Sequence, residues 1–217
     1  MDGMPKPSMT VGVLLLLTTA ALGAVVYDVH GPLAADRSVW EWTLGQRSGT
    51  ATGVAVFLST ALSPVGTIVL GAVAAMVLWR RDGGVERAAA LLSTVVAAAA
   101  VAEVFKIAVH RTRPPVAWQL EAHETAGSFP SGHTTGTAAL AFGLVAVTAA
   151  SASAATRVVA ACGALAVVLA AAASRLYLGM HWITDVTAGI LVGAAAALIV
   201  PPLVHAVLRH APLHARS

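Results

Sequence analysis

Six apolar runs, each near the roughly 20 residues that a helix needs to cross a bilayer, recur along the 217-residue chain. They cover residues 9–27, 52–79, 88–109, 133–150, 155–173 and 183–207. The pattern predicts an all-α bundle of six membrane-crossing helices. The runs over 52–79 and 183–207 are longer than a crossing requires, and such helices tilt or project. The first run lacks a small-residue cleavage site followed by a soluble body, so it reads as a retained helix and not a signal peptide. Polar positions punctuate the runs. Gly31-Pro32 marks a turn, and Asp36 can cap a short interfacial helix carrying Trp40 and Trp42. Ser63-Pro64 predicts a kink, Arg80-Arg81-Asp82-Gly83-Gly84 a polar turn, and Pro114-Pro115 the stop of the third helix.

Composition agrees with the pattern: 58% of residues are hydrophobic and 11% charged, too apolar for an ordinary soluble domain. The single cysteine, Cys162, excludes an intrachain disulfide and a cysteine metal cluster. The net charge of +3 comes from scattered basic residues with no aromatic platforms beside them, which argues against nucleic-acid binding. The basic residues instead set orientation. Setting aside Lys106, Arg113 and Arg175, one side carries Lys6, Arg80, Arg81, Arg87, Arg157, Arg209 and Arg216, and the other Arg37, Arg47 and Arg111. The positive-inside rule then puts both termini in the cytoplasm, in a multi-pass protein of the plasma membrane. The loops over 110–132 and 174–182 face outward. No internal repeat is visible, so residues 1–217 read as one domain.

Chemistry concentrates in those outward loops. Ionisable groups cost roughly 2.5 to 3.5 kcal/mol each at the centre of a membrane helix, so their presence is a functional signal. Lys106 is one of two lysines against eleven arginines, and a compact ammonium near the end of a membrane helix stands out in such a chain. Glu103 reads as a structural salt link with a nearby base. Pro130-Ser131-Gly132-His133 opens the fourth helix, where free backbone N–H groups and the positive dipole end make an anion cradle. His181 and Asp185, four apart, share a helix face, and the carboxylate can hold an imidazole N–H to make a nucleophile or a base. Lys106, Arg113 and Arg175 as cations, Ser131 and Gly132 as donors, and His133, His181 and Asp185 as titratable groups together describe a phosphate site. Two histidines permit attack on one side of phosphorus and protonation of the leaving oxygen on the other. No acidic cluster is arranged for magnesium or calcium, and a zinc site is the weaker alternative because Asp185 is better used orienting His181 and the arginines would repel a cation; no metal or other cofactor is expected.

These residues fall in three spacings: Lys106, six residues, Arg113-Pro114; Pro130-Ser131-Gly132-His133; and Ser174-Arg175, five residues, His181, three residues, Asp185. In that order the chain resembles the type 2 phosphatidic acid phosphatase superfamily, over a motif-bearing core of about 52–207. The resemblance implies a metal-independent hydrolase of lipid phosphates or pyrophosphates, with its active site at the outer membrane interface. It implies His181 as a nucleophile forming a phosphohistidine, Asp185 as its orienting group and His133 as general acid. Lys106, Arg113, Arg175, Ser131 and Gly132 would hold the phosphate. The partners implied are the bilayer and a membrane lipid phosphate: phosphatidic acid, phosphatidylglycerol phosphate or a polyprenyl pyrophosphate. Two rivals are a vanadate-dependent haloperoxidase, disfavoured because those relatives are soluble bundles, and a transporter, which leaves the paired histidines unexplained. Lysine-poor, alanine- and arginine-rich composition points to a bacterial source.

Overall fold

The computed structural model describes residues 7–29, 31–122, 124, 127–149 and 152–210. Lys6 and Arg216, used above, lie outside the described residues. Eight helices follow in order: α1 (Pro7–Val29), α2 (Ala34–Gly45), α3 (Gly49–Ala61), α4 (Pro64–Asp82), α5 (Glu86–Val109), α6 (Gly132–Thr148), α7 (Ala154–Tyr177) and α8 (Ile183–His210). The all-α expectation holds. Five of them, α1, α4, α5, α7 and α8, are long and apolar enough to cross a membrane. Their outer faces expose Val65, Val96, Ile107, Val159 and Val207. An apolar surface of that extent has no place in water.

The fourth run, 133–150, is α6, of 17 residues, packed against α4, α5, α7 and α8. It is the buried axis of the bundle, with Thr134 to Leu140, Gly143 and Val147 out of contact with solvent. Leu91, Val95 and Ala98 of α5, Ala139 and Leu140 of α6 and Val192 of α8 form the main core.

Two expectations change. The run over 52–79 is not one tilted helix with a kink, because the chain breaks at Leu62-Ser63. Ser63 caps α4 by accepting from Gly66 N at 3.0 Å, and Pro64 takes the first helical position, where its missing N–H costs nothing. The piece before the break, α3, is held at one end of the bundle: Ser48 N donates to Tyr177 Oη at 2.9 Å, Ala55 packs on Leu178 and Met180, and Leu62 O lies 3.5 Å from Thr137 Oγ1. It covers the site end. Crossing is left to α4. The third helix also stops earlier than Pro114-Pro115, at Val109, because His110 adopts the left-handed conformation (φ 46°) that closes a helix.

Helices α6 and α8 run parallel and in close contact. A Cβ on Gly189 would lie 2.9 Å from Ser131 O, and one on Gly193 would lie 2.5 Å from Ala138 Cβ and 2.7 Å from Ala139 N. Only glycine permits this approach. It brings the N-termini of both helices to the same end of the bundle, where α2 packs on α8 and α3 on α7.

Candidate active site

That end gathers three connecting segments: residues 110–114 after α5, 128–133 entering α6, and 175–185 from the last turn of α7 into α8. Phe129 roots the second, fully buried among Val26, Val109 and Ala188 and edge-on to Phe105 at 6.1 Å. Ser131 N then donates to Asp185 O at 3.0 Å, tying the second segment to the third.

His181 stands at the centre, 2% exposed. Its Nδ1 is 3.5 Å from Asp185 Oδ2 and 3.4 Å from Ser128 Oγ, while Nε2 faces Arg113 Nη1 at 3.0 Å. An acceptor carboxylate on the Nδ1 side makes Nδ1 the protonated nitrogen and leaves the Nε2 lone pair on the cationic side. Burial pushes the imidazole down to about 4, against the hydrogen bond it donates to Asp185; the charges of Arg113 and Arg175 push the same way as burial. The ring is therefore neutral at ordinary pH.

Asp185 is held as tightly as the ring it faces. Trp182 N donates to Oδ2 at 2.9 Å, Ser128 Oγ donates to the same oxygen, and Arg111 Nη1 reaches Oδ1 at 2.5 Å. Arg111 in turn bonds Thr184 Oγ1 and, through Nη2, Asp36 Oδ2, each at 2.5 Å. Asp36 accepts from Leu33 N at 2.9 Å and from Thr184 N and Oγ1 at 3.1 and 2.8 Å. Asp36, Arg111 and Asp185 are a sealed chain, with side chains 0%, 1% and 0% exposed. Trp182 closes the flank, its Nε1 donating to Thr112 O at 2.9 Å and its ring 6.2 Å from Trp40.

The expected cations converge opposite His181 Nε2. Arg113 Nη1 donates to Met180 O at 2.9 Å, and Nη2 pairs with Glu124 Oε2 at 2.6 Å. Burial, more than any charge, pulls the Arg113 guanidinium below its ordinary value. Arg175, fully buried, donates to Ser59 Oγ at 2.5 Å, pairs with Glu121, and reaches Glu124 Oε1 at 3.4 Å. Lys106 pairs with Glu103 at 2.7 Å, as expected from the sequence, and its Nζ lies beside Gly132. His133, in the first turn of α6, feels the charges of Arg175, His181, Arg113 and Lys106. Ser131 is the N-cap of α6, completely buried, its Oγ accepting from Thr134 Oγ1 at 3.2 Å. The N–H groups of Gly132 and His133 precede the first helical hydrogen bond, which Thr135 N makes to Ser131 O at 2.9 Å. All eight residues singled out from the sequence thus lie in one site.

Residues 87–209 match the family profile of the PAP2 superfamily, more than half the chain and all three motifs. The chain belongs to the PAP2 superfamily. Among solved structures, a transmembrane PAP2 type phosphatidylglycerolphosphate phosphatase from Bacillus subtilis is similar with a TM-score of 0.72 and 20% identity, over 94% of this chain and 98% of that one. At that identity the likeness is one of fold, and the fold is that of a transmembrane PAP2 protein. A comparison with proteins of curated function matches none.

Several residues of this PAP2 site carried no signal in the sequence. Asp36 reads as a helix cap, and it does accept from Leu33 N, yet its larger task is to bind Arg111. Arg111 reads as an orientation charge two residues from Arg113. Ser128 lies just before the second motif with nothing to mark it. Trp40 packs on Trp118 and Trp182, whereas Trp42, on the same helix, is 65% exposed.

Proposed function

We propose that the chain is a multi-pass membrane phosphatase that hydrolyses a lipid phosphate or pyrophosphate through a phosphohistidine. The observation that carries the reading is His181, with Nδ1 turned to Asp185 and Ser128 and Nε2 turned to Arg113. When phosphate draws Arg113 onto its oxygens, the Nε2 lone pair is released to attack phosphorus. The P–O bond to the leaving group breaks, and His133, which takes up a proton as the phosphate dianion binds beside it, passes that proton to the leaving oxygen. Arg113, Arg175, Lys106 and the N–H groups of Gly132 and His133 stabilise the charge on the equatorial oxygens. Water then attacks the phosphohistidine, His133 takes its proton, and inorganic phosphate leaves with His181 neutral again. Asp185 stabilises the transient cationic imidazole throughout. Arg111 and Asp36 keep that carboxylate fixed. The cations supply the charge that a metal ion brings to other phosphatases.

Apolar outer helices and a site at one end of the bundle suit a substrate with its phosphate at headgroup depth and its tail in the membrane. The activity named for the Bacillus subtilis relative makes phosphatidylglycerol phosphate the first substrate to assay, beside phosphatidic acid and a polyprenyl pyrophosphate. The charge asymmetry of the loops supports a site facing outward from the plasma membrane, with both termini cytoplasmic. A cysteine at Val116, which is exposed near the site, with Cys162 replaced by alanine, reports this through an impermeant thiol reagent; labelling only after permeabilisation would reverse the orientation. The activity is tested with purified protein and the three substrates. His181→Asn should abolish phosphate release and trapping of labelled phosphate on protein. Turnover by His181→Asn would sink the reading.

A further inference from the structure

Each expected phosphate-binding cation is already bonded to a glutamate outside the three motifs. Glu124 bridges Arg113 at 2.6 Å and Arg175 at 3.4 Å, Glu121 pairs with Arg175, and Glu103 pairs with Lys106. Three positive charges meet three negative ones. Glu124 is also aimed: the buried Gln119 side chain donates to its carbonyl at 3.3 Å and accepts from its N–H at 3.0 Å, while donating to Pro114 O at 3.1 Å. The loop that carries the two acidic residues is thus fastened to the segment that carries Arg113.

A buried arginine needs a counter-charge for stability alone, and Arg111 illustrates how that is built, its two aspartates being fully sealed. Glu121 and Glu124 differ. Their side chains are 21% and 41% exposed while the arginine side chains they pair with, Arg175 and Arg113, are 0% and 6% exposed. The carboxylates stand on the solvent side of the arginines, where water can take them over when they leave. Their oxygens occupy positions on the two forks that phosphoryl oxygens would use.

Resting on the proposed phosphatase reading, we infer that Glu121 and Glu124 are internal competitors for the phosphate site and set a charge threshold on what enters it. Moving both carboxylates off Arg113 and Arg175 uncovers two positive charges. A phosphate monoester dianion or a pyrophosphate replaces both negative charges. A phosphodiester, with one negative charge and two oxygens blocked by ester links, replaces one and leaves a buried guanidinium short of a partner, which is costly. Phosphodiester headgroups surround such a site in the membrane, so excluding them matters as much as binding the substrate. After hydrolysis the returning carboxylates help to expel inorganic phosphate.

The test is binding and inhibition with purified Glu124→Gln, Glu121→Gln and the double variant. Labelled orthophosphate binding, measured by equilibrium dialysis without turnover, should tighten about 10-fold for each substitution, the worth of one charge-assisted hydrogen bond. Phosphatidylglycerol in detergent micelles should become a competitive inhibitor of nitrophenyl phosphate hydrolysis in the double variant and remain ineffective against the wild type. A structural role gives the opposite sign, with phosphate binding weakened in every variant. Unchanged or weakened orthophosphate binding in the folded single variants overturns the proposal, as does equal diester inhibition of wild type and double variant. Because orthophosphate binding needs no catalysis, tightening without hydrolysis by the wild type would sink the phosphatase reading and leave the competition standing.

Discussion

Replacing Arg111 by glutamine tests whether the buried chain behind His181 is a unit. The guanidinium holds Asp185 and Asp36 at 2.5 Å each, and all three side chains are within 1% of complete burial. Removing one partner of a buried pair costs about 3–5 kcal/mol, because the remaining charge is stranded. Two carboxylates are stranded here. Each keeps neutral donors, Ser128 and Trp182 N for Asp185 and Leu33 N and Thr184 for Asp36, which holds the loss within that range. Asp36→Asn is milder: it exchanges a charge-assisted hydrogen bond for a neutral one, about 1–2 kcal/mol, and leaves Arg111 paired with Asp185. In the double variant only Asp185 is stranded, so its cost should fall below the sum of the singles by at least about 1.5 kcal/mol. Denaturant unfolding in detergent micelles measures all three. Activity gives a second axis: Arg111 touches Asp185 and no phosphate cation, so Arg111→Gln should lower kcat and leave KM nearly unchanged. Additivity within about 0.5 kcal/mol, or a raised KM with kcat preserved, would refute the coupling.

Titration of His181 by nitrogen NMR should give a midpoint at about 4, where an exposed imidazole gives about 6.5. The proposed nucleophile then stays neutral over the whole range from pH 5 to 8. Because the unfolded chain takes up a proton that the folded one refuses, stability should fall as pH drops from about 6.5 toward 4 and be indifferent to this group above 6.5; a midpoint near 6.5 would contradict the burial argument. Gly193→Val drives a side chain into Ala138 Cβ at 2.5 Å, an overpacking cost of about 1–3 kcal/mol, and an unchanged midpoint of unfolding would show that α6 and α8 are not in contact there. His133→Ala should cost a lipid ester about 10²–10⁴ in rate and nitrophenyl phosphate far less, since nitrophenolate leaves without a proton; equal losses on both would remove His133 from the acid role. A chelator should leave the rate intact, because Lys106, Arg113 and Arg175 provide the charge; loss of activity restored by zinc or magnesium would overturn that.

What was legible in the chain, and what was not, follows from the range of each interaction. Long apolar runs report crossing helices because a bilayer demands them locally, residue by residue. The three motifs report the site because close approach of charged groups to a membrane helix is otherwise so costly. The break at Ser63 was visible only as a kink, since a capping serine before a proline reads alike in either case. The end of α5 at His110 was hidden, because a histidine in the left-handed region is chosen by its surroundings and not by its own preference. Asp36 and Glu124 were illegible as site residues for a different reason. Their partners are 75 and 11 positions away, at Arg111 and Arg113, across loops whose course no local pattern fixes.

The packing of α6 on α8 joins the fold to the chemistry. Parallel helices that end together present two positive dipole ends to one place, and here one of them opens with Gly132-His133 and the other carries Asp185 in its first turn. Such a pairing is favourable only where an anion or an acidic side chain lies between the ends. Asp185, bonded by its own carbonyl to Ser131 N at 3.0 Å, is one such charge, and the glutamates bound to Arg113 and Arg175 are others. The charges of this end of the bundle therefore divide by mobility. Asp36, Arg111 and Asp185 are sealed, hold the loops in register and aim His181; Arg113 and Arg175 face carboxylates that water can reach. The proposed phosphatase reading calls for such a division, because the group that orients the attacking histidine must stay still while the groups that would grip phosphate exchange one anion for another.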